Sequence, residues 1–555
     1  MILNMSACGE KFLLETPLDT LTANRAFSTA ADFNASVNDL YALVRTEFYT
    51  ANDYDPMYWL YKTDLVTDLR RTEANLAADF VPTAGWITLK WTNLYKIVAE
   101  ANTILSRLPT SKAPDSEKPL FEAKAKFFRA FAYRALAYLF GDVPLITEEV
   151  VGEKIDFTRA ARKEVYKQAI ADLTFSARNL KAITAVKDGE ISNLAAQHLL
   201  AEVYLADGQH SKAVEAATAV IGDPSVALMT QRFGSRTSVT PGDVYWDLFQ
   251  IKNQNRASGN KEGIWVIQME TDILGGAALS NAWRGCYPLE RVHSPMVRDF
   301  VVYDPAAKKK VPPFLWPASG YTGGRGVGFM GSSHYFMYDV WRNVGSDMRN
   351  ANHNFVRKFK SNNKESPFFG QDIDFDNLPP ESIGQNGLPM RSGVPERSLF
   401  AYQSKCTQPF NHPAALYNNP PSYPDQLTHS AGGTYADQYM FRLAETYLLR
   451  AEGYLGLGMT DKAAADINVV RGRSKATEAS PAEVTIDYIL DERMRELGVE
   501  EKRMLTLMRL GKLYDRLKLI AYYSGTVRPH HNLWPIPQTE IERNRGVKWE
   551  QNTGY

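Results

Sequence analysis

A segment of thirteen residues occurs twice in this chain, 250 positions apart. Residues 201–213 and 451–463 share seven identities in one register, including a Tyr-Leu pair, a glycine and a Lys-Ala pair. In the first copy Tyr204 lies on an apolar helical face, Gly208 supplies the left-handed residue that ends a helix, and Ala213 gives the next helix a smooth side. Each copy therefore predicts a helical hairpin.

The spacing of these residues is typical of tetratricopeptide-like helix pairs. Such pairs stack side by side because one pair alone cannot bury its apolar stripe. Since the two copies are far apart in sequence, we predict an all-α, or mainly α, hairpin scaffold with a large insertion.

The character of the sequence changes along the chain. Helical periodicity dominates residues 17–225 and returns in 433–555. Between them, residues 226–432 are crowded with glycine, proline, asparagine and aromatic residues. Because long irregular loops on a rigid scaffold often carry binding residues, we expect this middle segment to be a loop-rich ligand-binding insertion.

Charge and hydropathy exclude several classes of partner. The 63 basic and 63 acidic side chains cancel, so no overall field favours nucleic acid or an anionic membrane surface. We therefore expect no nucleic-acid partner. After the first residues the chain has no apolar stretch long enough to predict a membrane-spanning helix.

The first residues have features of a bacterial lipoprotein signal. Small residues precede Cys8 and a glycine follows it, which predicts lipidation of Cys8 and a tether within residues 1–16. Only seven residues precede Cys8, fewer than a complete signal requires. For Cys286 and Cys406, a disulfide and two free buried thiols both fit an exported protein.

Several sequence motifs occur in a fixed order along nearly the whole chain. They occupy residues 91–102, 122–130, 138–144, 442–452, 491–497 and 535–541. With these motifs the sequence resembles the SusD/RagB family of surface glycan-binding lipoproteins. The middle segment matches no fixed pattern of that family, so the identity of the ligand stays open.

The resemblance implies a function as well as a fold. Such proteins are anchored by lipid in the outer membrane, are exposed at the cell surface, and pair with a SusC-like TonB-dependent transporter that imports the captured oligosaccharide. Membrane attachment would occur only through Cys8. The alternative is capture of a peptide or another nutrient, as in the RagB branch.

No motif in the chain predicts catalysis. Glutamates at 492, 496 and 500 could share one helical face, but arginines at 493, 495 and 503 favour an ion-pair network over a metal site. The glycine-rich residues 324–328 lack the features of a phosphate loop and suggest a flexible binding loop. We expect no enzyme activity, no cofactor and no metal. The chain has no twelve-residue acidic loop of the kind that binds calcium, and whether calcium binds in another way stays open.

Sugar recognition requires flat aromatic faces and a few polar groups that bind hydroxyls. One candidate precedes the 91–102 motif, where the family often places a stacking aromatic, and the others lie in the middle segment. The candidates are Trp86, Trp283, Arg284, Tyr287, Trp316, Tyr321, Arg325 and Trp341.

Overall fold

The computed structural model describes residues 27–50, 57–269, 271, 279, 287–420 and 423–555, and within these ranges the chain is mainly helical, as predicted. The first helices are α1 (Ala30–Phe48), α2 (Met57–Leu60), α3 (Leu76–Asp79), α4 (Gly85–Arg107), α5 (Lys118–Phe140), α6 (Arg162–Asn179), α7 (Asn193–Ala206) and α8 (His210–Ile221). Short helices follow: α9 (Val244–Asp247), α10 (Leu289–His293) and α11 (His334–Met337). The last are α12 (Leu443–Gly456), α13 (Thr460–Arg473), α14 (Ile486–Glu496), α15 (Arg503–Arg509), α16 (Leu513–Lys518), α17 (Ala521–Ser524) and α18 (Gln538–Arg543).

The strands are short and form antiparallel pairs. The strands are β1 (Val66–Asp68), β2 (Val143–Pro144), β3 (Arg159–Ala160), β4 (Gly263–Ile267), β5 (Val302–Asp304), β6 (Lys309–Val311), β7 (Met330–Ser332), β8 (Phe355–Val356), β9 (Lys358–Lys360), β10 (Asp372–Asp374), β11 (Tyr402–Gln403) and β12 (Gln438–Arg442). The pairs are β1 with β7, β2 with β3, β4 with β12, β5 with β6, β8 with β11, and β9 with β10.

Two long helices illustrate how the sequence specifies the scaffold. Helix α1 begins with a capping box, in which the Thr29 side chain accepts from the backbone N–H of Asp32 and the Asp32 carboxylate accepts from that of Thr29. In α5, every residue from 127 to 140 is buried. A helix that is buried on all sides lies at the centre of a core, and α4 and α6 pack against it.

The two sequence repeats form matching hairpins. Gly208 between α7 and α8 and Gly458 between α12 and α13 both have φ of +73°, the left-handed conformation that closes each turn. The hairpins also pack against one another, since Leu205 and Ala213 of the first share a buried cluster with Leu449 of the second. The chain therefore leaves the helical stack after α8 and rejoins it at α12.

The middle segment is tied to the scaffold at both ends. Strand β12 pairs with β4 and leads directly into α12, and β7 pairs with β1 of the N-terminal part. These pairings hold the middle segment against the helices. The boundaries predicted at residues 225 and 432 stay predictions.

Buried ion pairs join α14 to the rest of the fold. The Nη1 atom of Arg349, in the middle segment, lies 2.7 Å from Glu492 Oε1 and 3.0 Å from Glu496 Oε2. Burial by itself would raise the pKa of Glu492, but Arg349, Arg495 and Arg471 lower that pKa to about 2. The predicted ion pairing of the glutamates is confirmed, but of the three arginines that the sequence suggested as partners only Arg495 pairs with one of them, Glu492. Arg493 and Arg503 pair with other carboxylates.

The described residues hold no cluster of three or more histidine, cysteine, aspartate or glutamate side chains suited to a metal ion. None of the helices formed by those residues combines the length and the apolar character needed to cross a membrane.

Candidate functional site

A cleft of about 910 Å³ opens in the middle segment of the chain. Its aromatic lining residues are Tyr321, Phe369, Phe410, Tyr417 and Tyr423. Its polar side chains include Asn352, Lys358, Lys360, Asn362, Lys364 and Asp425. The cleft thus combines ring faces with amide, ammonium and carboxylate groups.

Two phenylalanines of the cleft are unusually exposed to solvent. Phe410 is 57% exposed and Phe369 is 49% exposed. The Phe410 ring meets Tyr321 edge to face, with centroids 6.0 Å apart. Large exposed rings that line a concave surface are typical of a binding site, because burying them against a ligand recovers the hydrophobic free energy left unused in the free protein.

The backbone of Phe410 is strained. Its φ is +57°, in the left-handed region that bulky side chains rarely adopt. The Arg236 Nη1 donates to the Phe410 carbonyl oxygen at 3.4 Å on this turn. Since strain of this kind is concentrated at functional sites, the exposed ring and its strained backbone both point to a role in binding.

A hairpin of β9 and β10 forms one wall. Its buried side carries Phe359 and Ile373, whereas the exposed side carries lysines opposite aspartates. The Nζ of Lys360 lies 3.6 Å from an oxygen of Asp372. Such exposed pairs add little stability, so their charged groups are available to bind ligand hydroxyls.

Fixed polar groups border the aromatic rings. The Asn362 amide donates to Asp425 Oδ2 at 3.1 Å and accepts from the backbone N–H of Leu315 at 2.8 Å, which holds its orientation. The Lys364 Nζ stands 5.3 Å from the centre of the Tyr423 ring. Apolar faces beside oriented polar groups are the combination that a sugar ring requires.

Of the residues that the sequence singled out, Tyr321 lines this cleft. Trp316 is nearby in sequence, but its ring is in cation–π contact with the guanidinium groups of Arg298 and Arg325, at 5.2 and 5.5 Å from the ring centre. Its indole N–H donates to the Gly326 carbonyl oxygen. Arg325 is therefore a packing partner of Trp316.

Trp341 and Tyr287 lie outside this cleft. Trp341 is 8% exposed, and its indole N–H donates to the Phe336 carbonyl oxygen at 2.8 Å. Tyr287 is also buried, with its ring edge to face against Tyr49. Both rings belong to the buried core, and Tyr287 also lines a second cleft of about 680 Å³ together with Tyr41 and Tyr49.

Trp86 lies at the start of α4 and outside the cleft. Its ring stacks on Tyr58 at 4.6 Å and meets Trp534 edge to face at 4.8 Å. Its indole N–H donates to the Asp79 carbonyl oxygen. These contacts make it part of the packing between α4 and the C-terminal segment.

The remaining predicted site residues lie outside the described residues: Trp283, Arg284 and the lipidation candidate Cys8. The same holds for Cys286. Cys406 is a buried free thiol, and burial raises its pKa.

The glycine-rich segment 324–328 differs from expectation. Instead of a flexible loop at the surface, its residues are buried. A Cβ atom on Gly324 would collide with the Glu290 carboxylate. The glycines are needed here for close backbone packing.

Four aromatic residues of the cleft were not among the candidates predicted from the sequence: Phe369, Phe410, Tyr417 and Tyr423. Phenylalanine is usually a core residue, and neither phenylalanine belongs to a periodic segment. A usable signal was the high aromatic content around the prolines at 420 and 421.

Two protein-family models match this chain. A model described as the SusD family matches residues 326–555, and one described as "starch-binding associating with outer membrane" matches residues 11–205. Together they account for most of the chain. The chain belongs to the SusD/RagB family.

Individual SusD-like proteins match over different extents. SusD-like protein P25 of Formosa agariphila is 24% identical across 98% of this chain and 95% of its own length. SusD-like protein P2 of the same organism is 29% identical over 48% of this chain, and the match spans only 51% of that relative.

A solved SusD-family structure supports the same architecture. Surface glycan-binding protein A from Bacteroides thetaiotaomicron, in complex with laminarihexaose, has a TM-score of 0.66 at 19% identity. The alignment covers 95% of this chain and all of that one. At this identity the likeness establishes the SusD-like fold.

Proposed function

We propose that this protein is a non-catalytic binding protein that captures oligosaccharides in the cleft around Phe410. The ligand would then be imported through a SusC-like TonB-dependent transporter, with the protein held at the surface of the outer membrane by a lipid on Cys8. The observation that carries the proposal is the exposed Phe410 ring beside Tyr321 in a large cleft with oriented polar groups.

Each part of the cleft suits a sugar. The C–H face of a pyranose ring can lie on Phe410 or Phe369, while hydroxyls bind the Asn362 amide, Asp425 and the lysines of the hairpin. The complex of a structural relative with laminarihexaose supports a glycan as the ligand class. A wet site of this kind gives modest affinity, since each hydroxyl exchanges water for a protein partner.

Calorimetric titration of the purified 555-residue chain tests the proposal. The panel contains laminarihexaose, maltohexaose, an oligogalacturonate and mixed peptides. A heat of binding with one sugar class supports glycan capture. A heat of binding with peptides alone would instead support the alternative, that the protein binds peptides.

Matched variants locate the binding. Phe410→Ala should reduce affinity at least about tenfold, because burial of an aromatic face against a ligand is worth more than about 1.4 kcal/mol. Leu519→Ala removes another exposed apolar side chain that does not line the cleft, and it should bind as the parent protein does. Equal affinity of all three proteins would place the site elsewhere.

A further inference from the structure

A chain of hydrogen bonds runs from the aromatic lining of the cleft into the protein interior. The Tyr417 hydroxyl donates to Ser319 Oγ at 2.9 Å, and Ser319 Oγ lies 2.7 Å from His412 Nδ1. The other nitrogen of His412 lies 3.0 Å from the Glu290 carboxylate. We refer to these four residues as the relay.

The hydrogen-bond directions in the relay are mutually consistent. Because Tyr417 donates to Ser319, Ser319 can donate its own proton to Nδ1 of His412. With Nδ1 as the acceptor, Nε2 of His412 is the nitrogen that donates to Glu290. The Thr407 hydroxyl also donates to Glu290, at 2.9 Å, so the carboxylate has two donors.

The relay connects separate loops that carry the aromatic side chains of the cleft. Ser319 is two residues before Tyr321, and His412 is two residues after Phe410. Tyr417 itself lines the cleft. The Ser319–His412 hydrogen bond therefore links the backbone segments whose rings, Tyr321 and Phe410, meet edge to face.

Three members of the relay lie inside the protein, and Tyr417 is the member that reaches the cleft. Ser319 and Glu290 have no solvent-exposed surface, and His412 is buried as well. Gly324 closes over the relay, because a side chain there would collide with Glu290. A buried and fully partnered polar network of this kind holds one arrangement of its loops, since any other leaves groups without partners.

We propose that Glu290 and His412 are positioning residues, which act through Ser319 to hold the loops of Tyr321, Phe410 and Tyr417 in one arrangement. This arrangement sets the spacing of the aromatic rings, and its effect on ligand affinity rests on the proposed function. The positioning itself does not depend on which ligand binds.

Hydrogen exchange of the ligand-free 555-residue chain tests the positioning. Ser319→Ala removes one oxygen and interrupts the relay at its centre. We expect exchange to accelerate by about tenfold both in residues 317–328 and in residues 408–417, because the buried His412 and the half-buried Tyr417 both lose their hydrogen-bond partner. Exchange in α5 should not change.

Ser294→Ala is the matched control, since Ser294 is also fully buried in the middle segment but lies outside the relay. Ser294→Ala should leave the hydrogen-exchange rates of residues 408–417 unchanged. An acceleration confined to 317–328 in Ser319→Ala, or an equal acceleration at 408–417 in Ser294→Ala, overturns the inference.

A double-mutant cycle separates positioning from a general loss of stability. If the relay acts as one unit, adding Tyr417→Phe to Ser319→Ala should change exchange at 408–417 by less than about twofold, whereas Tyr417→Phe alone accelerates it. Independent, additive effects contradict the proposal.

Titration with laminarihexaose then reports on affinity. If the parent chain binds this sugar, Ser319→Ala should raise the Kd by about tenfold, whereas Ser294→Ala should leave the Kd unchanged. Unchanged affinity in Ser319→Ala would show that the relay does not control binding. If the parent chain does not bind laminarihexaose, the proposed function fails for that sugar, while the exchange measurement still decides the positioning.

Discussion

Gly453 of α12 packs directly against Val214 of α8, on a neighbouring hairpin of the helical stack. A Cβ atom on Gly453 would lie 2.8 Å from Val214 Cγ2. The first repeat has Val203 at the position of Gly453. The second copy thus has no side chain at the point where the two hairpins meet, and this allows them to stack closely.

Gly453→Ala should therefore destabilise the protein by about 1–3 kcal/mol, because the stiff valine side chain cannot move aside without a shift of a helix. Gly472→Ala is the control: this glycine lies in α13 with open space around its Cβ position, and the substitution should stabilise by about 0.5–1 kcal/mol. Urea unfolding measures both values. If Gly453→Ala is stabilised instead, the interface between α12 and α8 can accommodate an additional methyl group.

Replacing Phe410 should separate stability from binding. Phe410→Asn places a residue that tolerates the left-handed conformation where φ is +57°, so we expect an equal or higher Tm. The same variant removes the exposed ring and should weaken sugar binding by about tenfold or more. A fall in both Tm and affinity would instead indicate that the ring is needed for folding.

The buried ion pairs of α14 should make the protein sensitive to loss of one charge. Glu492→Gln leaves Arg349 and Arg471 without a full counter-charge in the core, and we expect a loss of about 3–5 kcal/mol. Glu550→Gln removes one member of an exposed pair with Lys548 and should leave urea unfolding unchanged. Similar behaviour of the two variants would contradict the importance of the network.

The same carboxylates predict acid sensitivity. Burial opposes ionisation of Asp64, but Arg503 and Arg516 lower its pKa to about 2. The pKa of Glu492 is lowered to a similar value by its own arginine partners. Such groups bind fewer protons when folded than when unfolded. Their contribution is complete above the ordinary carboxyl pKa of about 4 and is lost as pH falls toward 2.

We therefore expect the free energy of unfolding to fall steadily from about pH 5 to pH 2. Urea titrations at several pH values measure this slope. Glu492→Gln should show a shallower slope, because one of the responsible carboxylates is missing. An identical slope would mean that other groups control the acid response.

Trp316 and Tyr321 should respond differently to truncation. Trp316→Ala removes a ring in contact with the guanidinium groups of Arg298 and Arg325, and should cost about 2 kcal/mol of stability. Tyr321→Ala removes a ring that lines the cleft and should mainly reduce affinity. Calorimetric titration and thermal melting distinguish the two. Normal stability with lost binding in Trp316→Ala would make Trp316 a ligand contact, as the sequence suggested.

The helical scaffold could be predicted from the sequence. Its hairpins depend on local features, namely apolar periodicity and a left-handed glycine such as Gly208 or Gly458, so each could be predicted from a short segment. The ion pairing of Glu492 could also be predicted, because arginines surround it in sequence. Its main partner Arg349 could not, since it is more than a hundred residues away.

Which aromatic residues form the cleft depends on tertiary packing and could not be predicted. Trp341 and Phe410 are both large apolar residues in irregular segments, and nothing local distinguishes the buried ring from the exposed one. The difference depends on which distant segments cover each side chain. For the same reason the relay from Glu290 to Tyr417 has no sequence signature: its members become neighbours only when separate loops pack together.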